Sequence, residues 1–300
     1  MAQHKLFCVP GTWEAVAAAE RLGRIEPGSE IGMLTGVTDL LDHTVFDVVY
    51  VNYPASFGPI PGGGEGVLAA LGRPSYRASR DMGIAELIRL IRAHEGSFGI
   101  LGYSQGGAVA SLVGRELVSG SLRDRAGDCR WLHAFASPHR APGRTFPLGN
   151  QLVGQGISGD PVVDTGAIDW FDYCLPGDSY GDADPSNTYL RLGYELAIDL
   201  SLVDPFTMIA GIADSLLSGR LRDAIAELGE DPLRMIHKVA VTAATVVTFL
   251  QGFPHDKYGV REIVPGLTAL RHSANHLNFW GPRATVTEQL RPPVTALLYR

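Results

Sequence analysis

Four short apolar runs set the fold. Lys5–Val9, Val45–Val51, Phe98–Tyr103 and Trp131–Ala136 have the length and the β-branched or aromatic content of strands. Between them lie stretches of helical periodicity, Glu14–Leu22, Arg80–His94 and Ala108–Leu117. The runs are apolar almost throughout instead of alternating with polar residues, so both faces of each need cover. Strand–helix alternation of this kind predicts an α/β fold with a parallel sheet flanked by helices on both sides. A further apolar, aromatic segment (Ile168, Trp170, Phe171, Tyr173) closes in the turn Leu175-Pro176-Gly177 and reads as another strand.

The texture changes past residue 185. Residues 185–250 carry helical patterning punctuated by Gly211, Gly219 and Asp231-Pro232, with few strand signals. The expectation is one domain over residues 1–300, with 185–250 a helical insertion and 261–300 a C-terminal extension. The longest apolar stretch, Val239–Leu250, contains threonines and falls short of the ~20 residues that span a bilayer, so no transmembrane segment is expected.

Composition narrows the function. A net charge of −7 with no cluster of Lys and Arg argues against a nucleic-acid partner. Cys8, Cys129 and Cys174 lack zinc-ligand spacing and are too scattered for a disulfide framework, though a Cys129–Cys174 pair stays open. Gly62-Gly63-Gly64 is followed by no Gly-Lys-Ser/Thr, so it is not a phosphate loop. Neither a metal nor an organic cofactor is expected. The first residues, MAQHKLFCVPGTWE, show no basic segment followed by an apolar one, so no secretory signal is read there. The oligomeric state is left open.

The chemistry centres on Gly102-Tyr103-Ser104-Gln105-Gly106. Such a pentapeptide arises readily by chance in a chain with 36 glycines. Here it follows a predicted strand and opens a predicted helix, the setting in which a tight turn exposes a serine hydroxyl as a nucleophile. The backbone N–H of Gln105 then faces a developing oxyanion, helped by the helix N-terminus.

A serine nucleophile needs a base, and the base needs an orienting carboxylate. Among the downstream acids, Asp178 follows the turn that closes a predicted strand, where open α/β sheets gather their active residues; Asp160, after Ile157-Ser158-Gly159, is its rival. Among the histidines, His237 falls on a helical face. His255 sits in the loop Gly252-Phe253-Pro254-His255-Asp256, and loops carry catalytic groups over a sheet edge. His276 is the second choice.

Together these residues resemble the cutinase superfamily and, within it, the mycobacteriophage lysin B enzymes. The match lies in Gly102 to Gly106, in the acid turn Gly177-Asp178 and in His255-x-x-Tyr258-Gly259. Lysin B enzymes are also similar in Gly11-Thr12, Asn52-Tyr53-Pro54-Ala55, Asp178-Ser179-Tyr180 and Phe253-Pro254-His255, across roughly residues 4 to 260. A long helical insertion between acid and histidine is likewise the lysin B arrangement. The resemblance implies an α/β-hydrolase fold and a Ser104, Asp178, His255 triad, with Gln105 and Thr12 N–H groups as the oxyanion hole. It also implies a phage lysis enzyme, made in the host cytoplasm and acting on the host envelope after release. Its partner would be a mycolyl ester, cleaved where mycolic acid joins arabinogalactan. A general cutinase-like esterase and a non-catalytic binding scaffold are the alternatives. Insertion residues such as Leu196, Ile198, Leu200 and Phe206 either face a lipid chain or form the insertion's own core.

Overall fold

The computed structural model describes residues 4–14, 32–58, 60, 70, 72–146, 152, 154–163, 168–186, 188–199 and 254–284. At its centre are five parallel strands: β1 (His4–Val9), β2 (Phe46–Tyr50), β3 (Phe98–Tyr103), β4 (Cys129–Phe135) and β5 (Asp169–Tyr173). Their spatial order is β2-β1-β3-β4-β5. Every residue of the central strand β3 is buried, which is why its sequence shows no polar alternation.

The helices are α1 (Thr35–Thr38, a single turn), α2 (Tyr76–Ala93), α3 (Gln105–Ser119), α4 (Thr188–Ile198) and α5 (Ala269–Ala284). Ser75 starts α2 by accepting from the Ala78 N–H at 3.1 Å. The buried face of α2 is Tyr76, Ser79, Gly83, Leu87 and Ile91, three or four residues apart. Burial of Leu87 and Ile91 contributes ~1.5–3 kcal/mol each. Helix α3 buries Ala108, Val109, Val113 and Leu117, with Val109 beside Gly83 of α2. Its Gly114 lies against Trp170 and Leu132, whose side chains point to that face of the sheet.

Alternation along the strands sends Trp131, His133, Phe171 and Tyr173 to the opposite face, where α5 covers them. His133 Nδ1 pairs with Ser273 Oγ at 2.7 Å and Tyr173 OH with His272 Nδ1 at 2.8 Å. His4 Nε2 reaches the Gly281 carbonyl at 3.0 Å. The described part of the C-terminal extension is therefore a layer of the body: a small hairpin, β6 (Glu262–Val264) with β7 (Leu267–Thr268), leading into α5.

Cys129 opens β4 while Cys174 follows the end of β5, so the two thiols stand at opposite ends of adjacent parallel strands and cannot be bridged. Helix α4 is the first part of the expected insertion. It buries Tyr194, Ala197 and Ile198 in an aromatic cluster with Phe57, Tyr76 and Tyr180. Residues 200–253, and the helix expected beyond Glu14, lie outside the described residues.

The strand order places the site. From β1 the chain crosses to β2 on one side, then returns to β3 on the other. The carboxyl ends of β1 and β3 are thus a switch point where connections diverge and leave a crevice, the usual ligand position in open α/β sheets.

Candidate active site

Ser104 stands at that switch point, between β3 and α3. Its backbone is left-handed, φ 56° and ψ −115°, and its N–H donates to the Phe135 carbonyl at 2.9 Å. The flanking glycines permit this turn. A Cβ on Gly102 would lie 2.2 Å from the Gly106 carbonyl oxygen, and one on Gly106 would lie 2.0 Å from that of Val9. Only bare backbone fits where the ends of β1 and β3 meet the start of α3. Trp13, Ala55 and Ala136 are also left-handed, so each of the first four strands is followed closely by one such residue. Strain of this kind persists only where the surroundings over-determine it.

The structure brings Ser104, His255 and Asp178 into one line, and all three are buried. Ser104 Oγ is 2.9 Å from His255 Nε2, and His255 Nδ1 is 2.9 and 3.0 Å from the two oxygens of Asp178. An ionised Asp178 can only accept, which assigns the imidazole proton to Nδ1 and leaves Nε2 to accept from the serine. Asp178 also accepts from Tyr258 OH at 2.6 Å and from the Tyr180 N–H at 3.1 Å. Burial works against its charge, but His255, Tyr258 and Tyr180 together hold the carboxyl below its ordinary range. The imidazole lies between the rings of Tyr103 and Tyr180, with centroids 5.4 and 5.2 Å away. Tyr103 OH donates to the His255 carbonyl at 3.1 Å and fixes the loop.

Gln105 is fully buried, and its side chain is locked away from the crevice. Its Nε2 donates to the carbonyls of Ser56 at 3.0 Å and Tyr76 at 3.4 Å, and its Oε1 accepts from Ser79 Oγ at 3.3 Å. What it offers the crevice is its backbone N–H, one of those at a helix start with no intrahelical partner. Thr12 lies in the turn after β1. The neighbouring Gly11 and Trp13 amides are engaged by Glu14 Oε2 and the Ala55 carbonyl, both at 2.6 Å.

The competing residues lie elsewhere. Asp160 is on an exposed loop, paired with Arg115 at 2.8 Å. His272 and His276 face the sheet from α5. His237 lies outside the described residues. Among the described residues no group of His, Cys, Asp and Glu is placed to hold a metal ion, and no helix is long and apolar enough to cross a membrane.

The loop that carries Asp178 is anchored by a buried guanidinium. Arg140 donates to the carbonyls of Gly181 at 2.6 Å and Gly154 at 2.5 Å, and to Thr145 Oγ1 at 2.8 Å. Its Nη2 also meets Asp182 at 3.3 Å.

No known family profile and no curated protein sequence matches the chain. Among solved structures it is similar to lysin B from Mycobacteriophage D29, with a TM-score of 0.58 and 19% identity, over 92% of this chain and 99% of that one. The chain has an α/β-hydrolase fold. A cutinase-like protein from Cryptococcus sp. is also similar, with a TM-score of 0.43 and 17% identity, over 60% of this chain and 79% of that one.

The sequence motifs assign no role to two residues of the site, Tyr258 and Glu14, although His255-x-x-Tyr258-Gly259 contains the first. Tyr258 lies three residues after His255, inside the quoted loop, and its spacing was the signal for a partner to the acid. Glu14, three residues after Gly11, had no signal beyond that spacing, because its second contact comes from a distant segment.

Proposed function

We propose that this chain is a serine ester hydrolase that cleaves the ester joining mycolic acids to arabinogalactan in the mycobacterial envelope. The observation that carries the reading is the continuous hydrogen-bonded line from Ser104 through His255 to Asp178 at the switch point. Ser104 Oγ attacks the acyl carbonyl as His255 Nε2 takes its proton. Asp178 holds the tautomer and stabilises the imidazolium. The N–H groups of Gln105 and Thr12 receive the oxyanion. The tetrahedral intermediate collapses, and the sugar oxygen leaves with the proton from His255. Water, deprotonated by the same imidazole, then attacks the acyl-serine and releases the fatty acid.

The substrate is supported by the fold shared with lysin B and by the sequence motifs around Thr12, Ala55, Asp178 and His255, which resemble those enzymes. The site of action follows from the substrate: the host envelope, after release from the cytoplasm. The test is release of free mycolic acid from purified mycolyl-arabinogalactan by the protein and by Ser104→Ala. Release that drops at least about a thousandfold in the variant supports the reading. Hydrolysis of short nitrophenyl esters with no release from the wall makes it a general esterase. Activity retained in Ser104→Ala overturns the hydrolase.

A further inference from the structure

The turn after β1 is held by a carboxylate that the reaction scheme does not use. Glu14 Oε2 accepts from the Gly11 N–H at 2.6 Å, and Oε1 accepts from the Met33 N–H at 2.7 Å. The Glu14 N–H donates back to the Gly11 carbonyl at 3.2 Å. That reciprocal pair resembles a capping box, in which one carboxylate oxygen serves the start of a helix. A cap, however, needs only one oxygen. Here the second crosses to a segment far along the chain, and the carboxyl rests on Gly32. A Cβ at Gly32 would lie 2.2 to 2.5 Å from its three atoms, and Gly32 has φ +74°. The same turn is held on its other side by Tyr53 OH on the Pro10 carbonyl and by the Trp13 N–H on Ala55, both at 2.6 Å.

We propose that Glu14 is the positioning residue of the oxyanion turn, fixing the Thr12 N–H by bridging Gly11 to Met33. The inference rests on the reading of Ser104 as nucleophile, since only then does an oxyanion form beside Thr12. Ionised, the carboxylate accepts from both amides. Protonated, the oxygen that carries the hydrogen is a poor acceptor, and one tie is lost. Burial pushes the Glu14 carboxyl up to about 7, against the two amides and the charge of His255, which favour ionisation. The titratable groups interacting with it among the described residues are His255, Tyr103 and Tyr53. Burial holds both tyrosines well above the ordinary phenol range, so they stay neutral. Full activity then requires Glu14 to be ionised.

The experiment compares the whole protein with Glu14→Gln, using a fluorophosphonate that labels Ser104 and a short nitrophenyl ester for kcat and KM. Glutamine keeps the shape but can accept through only one atom. The expected result is a kcat lower by about tenfold or more, with KM within about twofold, as for a misplaced oxyanion donor. The acid side of kcat/KM in the unaltered protein carries a step of about tenfold near pH 7 as Glu14 takes up its proton, and the variant lacks that step. A purely structural role would shift the melting temperature and leave the step in place. Unchanged kcat, or a step that persists in the variant, overturns the inference. Should the variant fail to fold, the pH dependence of labelling in the unaltered protein decides, and a profile with no step near pH 7 overturns it. Absence of labelling in the unaltered protein removes the hydrolase reading itself, which separates the two failures.

Discussion

Tyr258 donates its hydroxyl to Asp178 Oδ2 at 2.6 Å while accepting from the Leu175 N–H at 3.2 Å. One phenol therefore ties the base loop to the acid turn, three residues from the imidazole that the same carboxylate orients. The seat of Asp178 is built from both loops at once.

Tyr258→Phe removes a hydrogen bond to a charged group, an interaction worth ~1.5–3 kcal/mol. The expected outcome is a kcat about tenfold lower, read with a nitrophenyl ester. Asp178 is held below its ordinary range, so its charge stabilises the fold at neutral pH, and that contribution is lost as pH falls through its folded value. Without the tyrosine hydroxyl that value rises. Melting curves of the variant should therefore begin their acid decline at the same pH as the parent, near the ordinary carboxylate value of 3.8, but lose less and level off at a higher pH.

His133, His272 and His276 give a second, separate pH dependence. They pack between the sheet and α5, with His276 centred 5.2 Å from His133 and 6.4 Å from His272. Burial lowers His272 to about 4 and His276 to about 3, and pushes His133 well down. An unfolded chain binds these protons near the ordinary 6.5 and the folded one does not. Stability is accordingly full above that pH and falls as pH drops toward about 4. Neither ring nitrogen of His276 has a hydrogen-bond partner among the described residues. His276→Phe should flatten the acid decline in melting temperature and leave kcat within about twofold. A dead but folded His276→Phe would reassign the base.

Gly106→Ala tests the close approach at the serine turn. The added carbon would lie 2.0 Å from the Val9 carbonyl oxygen and 2.6 Å from that of Pro10, both backbone atoms. Loss of at least about 3 kcal/mol, or no soluble protein, is expected. Gly127→Ala, with nothing within 4 Å of the new carbon, should stay within about 0.5 kcal/mol in a urea melt.

The sheet was legible because its strands are buried on both faces, so each run is apolar whatever side it points to. The edges of elements were less so. The apolar run extends to Ala136, but that residue is left-handed and turns the chain out of β4. Helical periodicity shows only from Arg80, whereas α2 starts at Tyr76, since Ser79 in its first turn is buried without looking apolar. Helix α5 escaped notice for the same reason: Ser273, Ala274, His276 and Gly281 make up much of its buried face. In the candidate site, Ser104, Asp178 and His255 were readable because each sits at a turn closing or following an apolar segment. Chain order held no trace of Glu14 meeting Met33 or of Tyr53 reaching Pro10; these contacts exist only after folding.

Arg140 has a consequence for motion. Its guanidinium joins the loop after β4, the segment at Gly154 and the acid turn at Gly181, and none of those carbonyls can find water while it stays buried. Opening any one of the three strands a cation in a dry interior. They must loosen together, so their amides should exchange with solvent at a shared rate, as one cooperative unit at the edge of the sheet.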